Sequence, residues 1–141
     1  MREGDNDADS KLRITDISVF LVASGKDSTD QYTRSSELYD PALNKTLPMG
    51  DTVENRLGAT FCNSFLCGGH PSDRSCEKFD GNSFELLPVS LVEQREFHMC
   101  WGLKSGDVIL LGGKNSPTTS EVVSADGTLS TPSFDVINGI W

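Results

Sequence analysis

The stretch "VILLGGKNSPTTSEV" at residues 108–122 decides the fold. Four apolar residues end in a glycine pair, a short polar loop follows, and a new segment begins at Ser-Glu-Val. The first segment is apolar on both faces and too short for a helix, which predicts a strand between adjacent sheets. Glycine has no Cβ and tolerates positive φ, so the pair indicates that another backbone approaches this strand end closely.

The same arrangement occurs three times with one period. The segments "FLVASGKDSTDQYTRSSELYD" (20–40) and "FLCGGHPSDRSCEKFD" (65–80) share it with the first stretch. The second position of the pair falls at Gly25, Gly69 and Gly113, which gives two equal intervals of 44 residues. The first copy is longer in its polar loop, where insertions cost little.

Other residue types recur in the same order relative to the glycines. A glutamate follows each pair, an aspartate follows an aromatic residue in two units, and an arginine follows each Leu-Pro dipeptide. The repeated residues that define this structural motif are Gly25, Gly68, Gly69, Gly112, Gly113, Glu37, Glu77, Glu121, Asp40, Asp80, Arg56 and Arg95. The two arginines are expected either to form ion pairs with these glutamates or to lie solvated at the start of a unit.

Each unit is predicted to contain four short strands. In the second unit they are residues 58–62, 65–69, 75–79 and 83–87, with an Asp-Gly hairpin turn before the last of them. Four strands per ~40 to 50 residues, packed face to face around an axis, are typical of a β-propeller blade.

The period also divides the chain. Residues 1–16 form an acidic segment that is expected to be disordered. Residues 17–141 are predicted to form an incomplete propeller, with units at about 17–55, 56–94 and 95–136.

The sequence motifs "LCGG…CEKFD…LLP…R" and "ILLGG…SEV" resemble the kelch repeat. The cysteines resemble those of divergent animal kelch-like proteins. Tyr39 and Phe79 fill the aromatic position of that repeat, and Phe84 replaces its usual tryptophan. Ser24 departs from the glycine pair, and Ser124 replaces the aromatic residue in the third unit. The resemblance implies an all-β fold, a partial β-propeller of about three four-stranded antiparallel kelch-type blades.

The resemblance also implies a function. Kelch propellers usually bind other proteins through blade loops, so the chain is expected to be a non-enzymatic interaction module with a protein partner. It is also expected to be a fragment of a larger propeller. Two alternatives stay open, a galactose-oxidase-like propeller enzyme and a degenerate fragment without independent function. Loops on a repeated scaffold usually carry recognition. The candidate partner-binding residues in the loops after the glycines are Lys26, Asp27, His70, Pro71, Lys114 and Asn115.

The four cysteines allow more than one interpretation. Cys67 and Cys76 fall on adjacent strands of one hairpin, where a disulfide is geometrically feasible; the alternative is two reduced core thiols. Cys62 and Cys100 occupy similar places in successive units and are interpreted as core residues.

The residue pattern does not support a catalytic site or a metal site. The two histidines, His70 and His98, form no triad pattern, and the cysteines lack the short spacing of structural zinc sites. No catalytic residue, no metal and no cofactor are therefore predicted.

Charge and hydropathy bear on partners and compartment. The net charge of −9 opposes binding to nucleic acid, and no apolar run is long enough to cross a membrane. Unclosed blade edges predict self-association. No signal peptide is visible, whereas paired cysteines and the sequon at Asn44 favour export, so a cytoplasmic and a secreted location both stay open.

Overall fold

The computed structural model describes residues 19–131, and every regular element in that range is a β-strand. None of these residues lies in a helix that is long and apolar enough to cross a bilayer. The strands are β1 (Phe20–Ala23), β2 (Ser36–Asp40), β3 (Lys45–Met49), β4 (Arg56–Leu57), β5 (Thr60–Cys62), β6 (Phe65–Cys67), β7 (His70–Pro71), β8 (Ser75–Phe79), β9 (Phe84–Ser90), β10 (Met99–Gly102), β11 (Val108–Leu111), β12 (Ser120–Val123) and β13 (Leu129–Ser130).

The strands form three antiparallel sheets that follow each other along the chain. The first blade is β1-β2-β3, the second is β5-β6-β8-β9, and the third is β10-β11-β12-β13. A short separate ladder joins β4 to β7. The predicted all-β fold with propeller-type blades is confirmed, although the first blade has three strands rather than four within the described residues.

Three parts of the predicted domain division fall outside the described residues. They are the acidic segment 1–16, the start of the first unit at 17–18 and the end of the third unit at 132–136. The division therefore stays a prediction.

Aspartates shape the hairpins that close the blades. Asp80 Oδ1 accepts hydrogen bonds from the backbone N–H groups of Asn82 (2.9 Å) and Ser83 (2.8 Å). These bonds, that of Ser83 foremost, hold the pKa of the Asp80 carboxyl below its usual value. Asp40 accepts from Ala42 in the same way in the first blade. The recurring aspartates are thus turn formers, as short polar side chains that bond to the local backbone generally are.

The blades pack face to face through two apolar layers. Between the second and third blades, the buried side chains are Phe65, Cys67, Cys76, Leu91, Val108, Leu110 and Val123. Between the first and second blades, Leu66, Phe79 and Phe84 are buried against Leu21, Ala23 and Met49. Full burial of one large aliphatic or aromatic side chain stabilises a fold by about 1.5–3 kcal/mol. Burial in these two layers therefore stabilises the packing of the blades on each other.

Both cysteine pairs are disulfide-bonded. Cys67 on β6 lies directly opposite Cys76 on β8, and the two are joined within the second blade. Cys62 is joined to Cys100, with their Cα atoms 6.3 Å apart, and this bond connects β5 to β10 of the next blade. Cys62 and Cys100 do pack against the apolar layer, as the interpretation as core residues expects. The sequence analysis missed their disulfide, which forms because equivalent strands of stacked blades come within bonding distance at this point.

Candidate functional site: the loop face

A buried arginine lies at the start of the second blade, where Arg56 ends the loop "DTVENR" (51–56). Its side chain has no exposed surface. Nε donates to Glu77 Oε2 (2.8 Å), and Nη1 donates to the carbonyl oxygens of Gly68 (2.8 Å) and Ser75 (2.9 Å). The rigid guanidinium fork therefore joins the loop to both strands that flank the glycine pair.

The carboxylate of Glu77 also holds the loop from the other side. It is fully buried, and it accepts hydrogen bonds from the backbone N–H groups of Val53 (2.6 Å) and Glu54 (3.1 Å). Because a buried carboxylate needs a full set of donors, these bonds stabilise both the charge and the loop conformation.

The third blade repeats this arrangement. Arg95 Nε donates to Glu121 Oε2 (2.9 Å), and Arg95 Nη1 donates to the carbonyl oxygen of Gly112 (2.8 Å). Glu121 accepts from the backbone N–H groups of Val92 (2.7 Å) and Glu93 (3.2 Å). Of the two interpretations that the sequence left open, the structure shows buried ion pairs within one blade rather than solvated arginines.

The glycine pairs give the loops that carry the arginines room to approach. Gly68 has a φ of 69°, and a Cβ on it would overlap the carbonyl oxygen of Arg95. The N–H of the neighbouring Gly69 donates to that same carbonyl (2.8 Å). A Cβ on Gly113 would lie 3.0 Å from the carbonyl oxygen of Glu96. Any side chain at Gly68 would displace the loop that carries Arg95.

The first blade departs from the pattern. Glu37 is half-buried at the position that corresponds to Glu77, and within residues 19–131 it has no arginine partner. Ser24 stands in place of the first glycine, and its hydroxyl accepts a hydrogen bond from the backbone N–H of Arg56 (2.7 Å). A Cβ on Gly25 would meet open space. This serine helps to hold the loop into the second blade.

Two kinds of loop meet at one edge of the blades, which we name the loop face. It consists of the lead-in loops 51–56 and 90–96, which carry the arginines, and the post-glycine loops 25–35, 68–75 and 112–119. Backbone bonds connect them, since the N–H of Thr52 donates to Arg34 O (2.8 Å) and that of Lys114 donates to Glu96 O (3.0 Å).

The first-blade candidates for partner binding lie in a loop that bonds to itself. Lys26 pairs with Asp30 (3.0 Å) and lies over the Tyr32 ring. Asp27 accepts from the hydroxyl and backbone N–H of Thr29, and the hydroxyl foremost lowers the pKa of Asp27.

The remaining candidates also lie on the loop face. His70 and Pro71 are exposed within the post-glycine loop 68–75, and the sequence analysis missed that these two residues pair with the lead-in loop as β7. Lys114 pairs with Glu96 (3.2 Å), and Asn115 is exposed beside it.

Two further residues of this face escaped the sequence analysis. The exposed fractions of Val53 and Val92 are 40% and 63%, which is high for aliphatic side chains. The signal that identifies them is the repeated "VENR" at 53–56 and "VEQR" at 92–95. Each valine presents an apolar side chain to solvent from a backbone amide that a buried carboxylate anchors. Near Glu54, Asp73 and Arg74 the face also has a shallow groove of about 260 Å³.

His98 is the one buried histidine among the described residues. Its Nε2 lies 2.7 Å from Thr60 Oγ1, and its Nδ1 has no hydrogen-bond partner within residues 19–131. Burial, with a smaller contribution from the Arg95 guanidinium, lowers the pKa of His98 to about 4. No group of three or more His, Cys, Asp or Glu side chains in that range is arranged to hold a metal ion.

Comparisons with known proteins support the fold. No family model matches the chain, and no curated protein matches it. Among solved structures, it is similar to a fungal alcohol oxidase of the AA5 family in complex with copper, with a TM-score of 0.63 and 13% identity. The match covers 86% of this chain and 29% of the oxidase chain, so this chain spans less than a third of that protein. At this identity the likeness shows the fold alone.

The same comparison corrects one expectation. The sequence analysis predicted that the chain is not an enzyme, and the likeness to an alcohol oxidase contradicts that prediction. A propeller-type fold is therefore no ground for excluding catalysis. The kelch repeat stays a resemblance, since no family model supports it.

The buried ion pair generates a stability prediction. Replacing Glu77 by Gln leaves the buried Arg56 guanidinium with only the partly exposed carboxylate of Glu54 (3.3 Å) as counter-ion. Breaking the buried pair is expected to lower the free energy of unfolding by about 3 kcal/mol. Chemical denaturation measures the change. Glu85→Gln, on an exposed site of β9, is the matched control and is expected to stay within about 0.5 kcal/mol of the wild type. Equal stability of both variants would contradict the burial of the pair.

The histidine generates a pH prediction. Because the pKa of His98 is about 4 in the folded state and about 6.5 in the unfolded state, the unfolded chain binds the additional proton first. Stability from this group is therefore present above pH ~6.5 and is lost as the pH falls towards ~4, by about 3 kcal/mol.

Denaturation at a series of pH values tests this with His98→Gln, which is expected to lose less stability than the wild type over that range. His70→Gln, at the exposed histidine, is expected to decline as the wild type does. Parallel curves for His98→Gln and the wild type would refute the assignment.

Proposed function

We propose that this chain is a protein-binding module that contacts its partner through the loop face. The observation that carries the proposal is the pair of exposed valines, Val53 and Val92, on loops that buried carboxylates anchor. Apolar anchors that are already ordered in the free protein bind more tightly, because association does not have to immobilise them. A central apolar anchor with a polar rim is the usual arrangement of a binding hot spot.

The charge of the loop face indicates what kind of partner fits. Apart from the two buried arginines and their glutamates, seven carboxylates lie in these loops against four cations. The carboxylates are those of Asp27, Asp30, Asp51, Glu54, Asp73, Glu93 and Glu96, and the cations are Lys26, Arg34, Arg74 and Lys114. Electrostatic complementarity then favours a partner segment that combines basic residues with an apolar side chain.

Cross-linking and affinity measurements test the proposal. With a captured partner, lysine cross-links are expected at Lys26 and Lys114 on the loop face. Lys45, the first residue of β3, and Lys104, in a turn, lie at the opposite edge of the blades and serve as internal controls. Combining Val53→Ser with Val92→Ser is expected to weaken binding about tenfold or more, equivalent to ~1.4 kcal/mol.

The matched control is Leu103→Ser, which removes a side chain that is 37% exposed in a turn at the opposite edge. It is expected to leave the affinity unchanged. Cross-links confined to Lys45 and Lys104, or equal affinity of the valine variant and the wild type, would move the binding surface away from the loop face.

A galactose-oxidase-like enzyme is the second candidate, favoured by the likeness to the copper-containing alcohol oxidase. The described residues do not fit a copper site of this kind, because no three His, Cys, Asp or Glu side chains among them converge. His98 is buried against Thr60, and His70 is in the exposed ladder with β4. Metal analysis of purified protein, with an oxygen-consumption assay on primary alcohols, tests this candidate.

A further inference from the structure

A sequence motif that the proposed function does not use lies in the first blade. Asn44, Lys45 and Thr46 form an Asn-x-Ser/Thr triplet whose middle residue is not proline, and the chain contains no second triplet of this kind. Such a triplet is the acceptor for N-linked glycans in exported proteins, where it lies in a surface loop. Because the triplet also arises by chance, a site needs support from the structure around it.

The structure places Asn44 in an exposed hairpin turn. It lies between β2 and β3, and every residue from 41 to 48 is exposed. Its φ of 49° is the left-handed conformation that asparagine tolerates in turns. The Tyr39 hydroxyl donates to Asn44 Oδ1 (3.2 Å), whereas Asn44 Nδ2 makes no hydrogen bond within residues 19–131. A glycan on Nδ2 would therefore replace no contact of the described chain.

The repeat shows that such a turn stays accessible beside other blades. The corresponding turn of the second blade, residues 80–83, is exposed, although the first and third blades pack on the two faces of that blade. Blades pack through their faces, whereas these turns project from an edge. The accessibility of Asn44 therefore does not depend on what precedes residue 19.

The cysteines supply independent support. All four cysteines of the chain are joined in the two disulfides, so that no free thiol is left. Disulfides form and persist in the secretory pathway and outside the cell, whereas the cytosol keeps thiols reduced. N-linked glycans belong to the same exported proteins. The paired cysteines and the exposed triplet thus indicate one compartment.

We propose that Asn44 is an N-glycosylation site and that the chain folds in the oxidising lumen of the secretory pathway. The co-substrate is a lipid-linked oligosaccharide diphosphate. A bond forms between Asn44 Nδ2 and the anomeric carbon of the oligosaccharide, and the bond from that carbon to the diphosphate oxygen breaks. The amide nitrogen releases one proton, and the lipid diphosphate leaves. No group is oxidised or reduced in this step.

The glycan and the loop face lie at opposite edges of the blades. Strand β2 runs from the post-glycine loop 25–35 to the turn that carries Asn44. A glycan at this turn therefore leaves Val53 and Val92 accessible. The modification and the proposed partner binding can be tested separately.

Mass spectrometry of the natural protein tests the proposal. The protein is isolated from cells that express its own gene, so that its own targeting signals decide its compartment, and free thiols are alkylated at lysis. The peptide that contains Asn44 is expected to carry a glycan, which peptide N-glycosidase removes with a shift in gel mobility. All four cysteines are expected to escape alkylation.

Variants expressed from the same gene assign the glycan to this triplet. Asn44→Gln and Thr46→Ala are each expected to lose the glycan and the mobility shift. Thr46→Ser, which preserves the triplet, and Asn82→Gln, in the corresponding turn of the second blade, are the matched controls and are expected to keep both. Circular dichroism establishes that each variant is folded.

Two results would overturn the proposal. One is a natural protein whose Asn44 carries no glycan, whether its cysteines are paired or alkylated. The other is a Thr46→Ala variant that keeps the mobility shift. Neither result bears on the loop face, because none of these substitutions lies there.

Discussion

The rest of this structure depends on two guanidinium groups that have no contact with water. Arg56 and Arg95 are both fully buried, and each needs a carboxylate and several carbonyl oxygens within reach. Glu77 and Glu121 supply the charge, and the first glycine of each pair supplies a carbonyl. Because these acceptors come from different strands of one blade, satisfying the arginine fixes how the loop enters the blade.

The repeated architecture could be predicted from the sequence because its causes are local. Glycine pairs, turns that begin with Asp and short apolar runs specify where strands begin and end, and all four strands of the second blade lie near their predicted positions. Contacts between elements could not be predicted in the same way. The bond from Cys62 to Cys100 and the ladder of His70 and Pro71 depend on how closely separate segments approach, which no local pattern specifies.

The candidate site, like the fold, could be predicted from the sequence only in part. The sequence analysis placed candidate residues in the post-glycine loops, which do lie together at one edge. It missed Val53 and Val92, because an aliphatic residue in a short loop carries no obvious sign of exposure. Their exposure follows only once the backbone amide is known to turn inwards to a buried carboxylate. The repeated Val-Glu-x-Arg was visible in the chain, yet its meaning depended on the partner of each arginine.

Amide hydrogen exchange at the lead-in loops tests the central claim most directly, namely that buried carboxylates anchor these loops. The backbone amides of Val53, Glu54, Val92 and Glu93 donate to Glu77 or Glu121, although the valine side chains face solvent. The account predicts that these amides exchange at least about a hundredfold more slowly than the exposed loop amide of Asn115, equivalent to ~2.7 kcal/mol of opening free energy. Exchange as fast as that of Asn115 would contradict it.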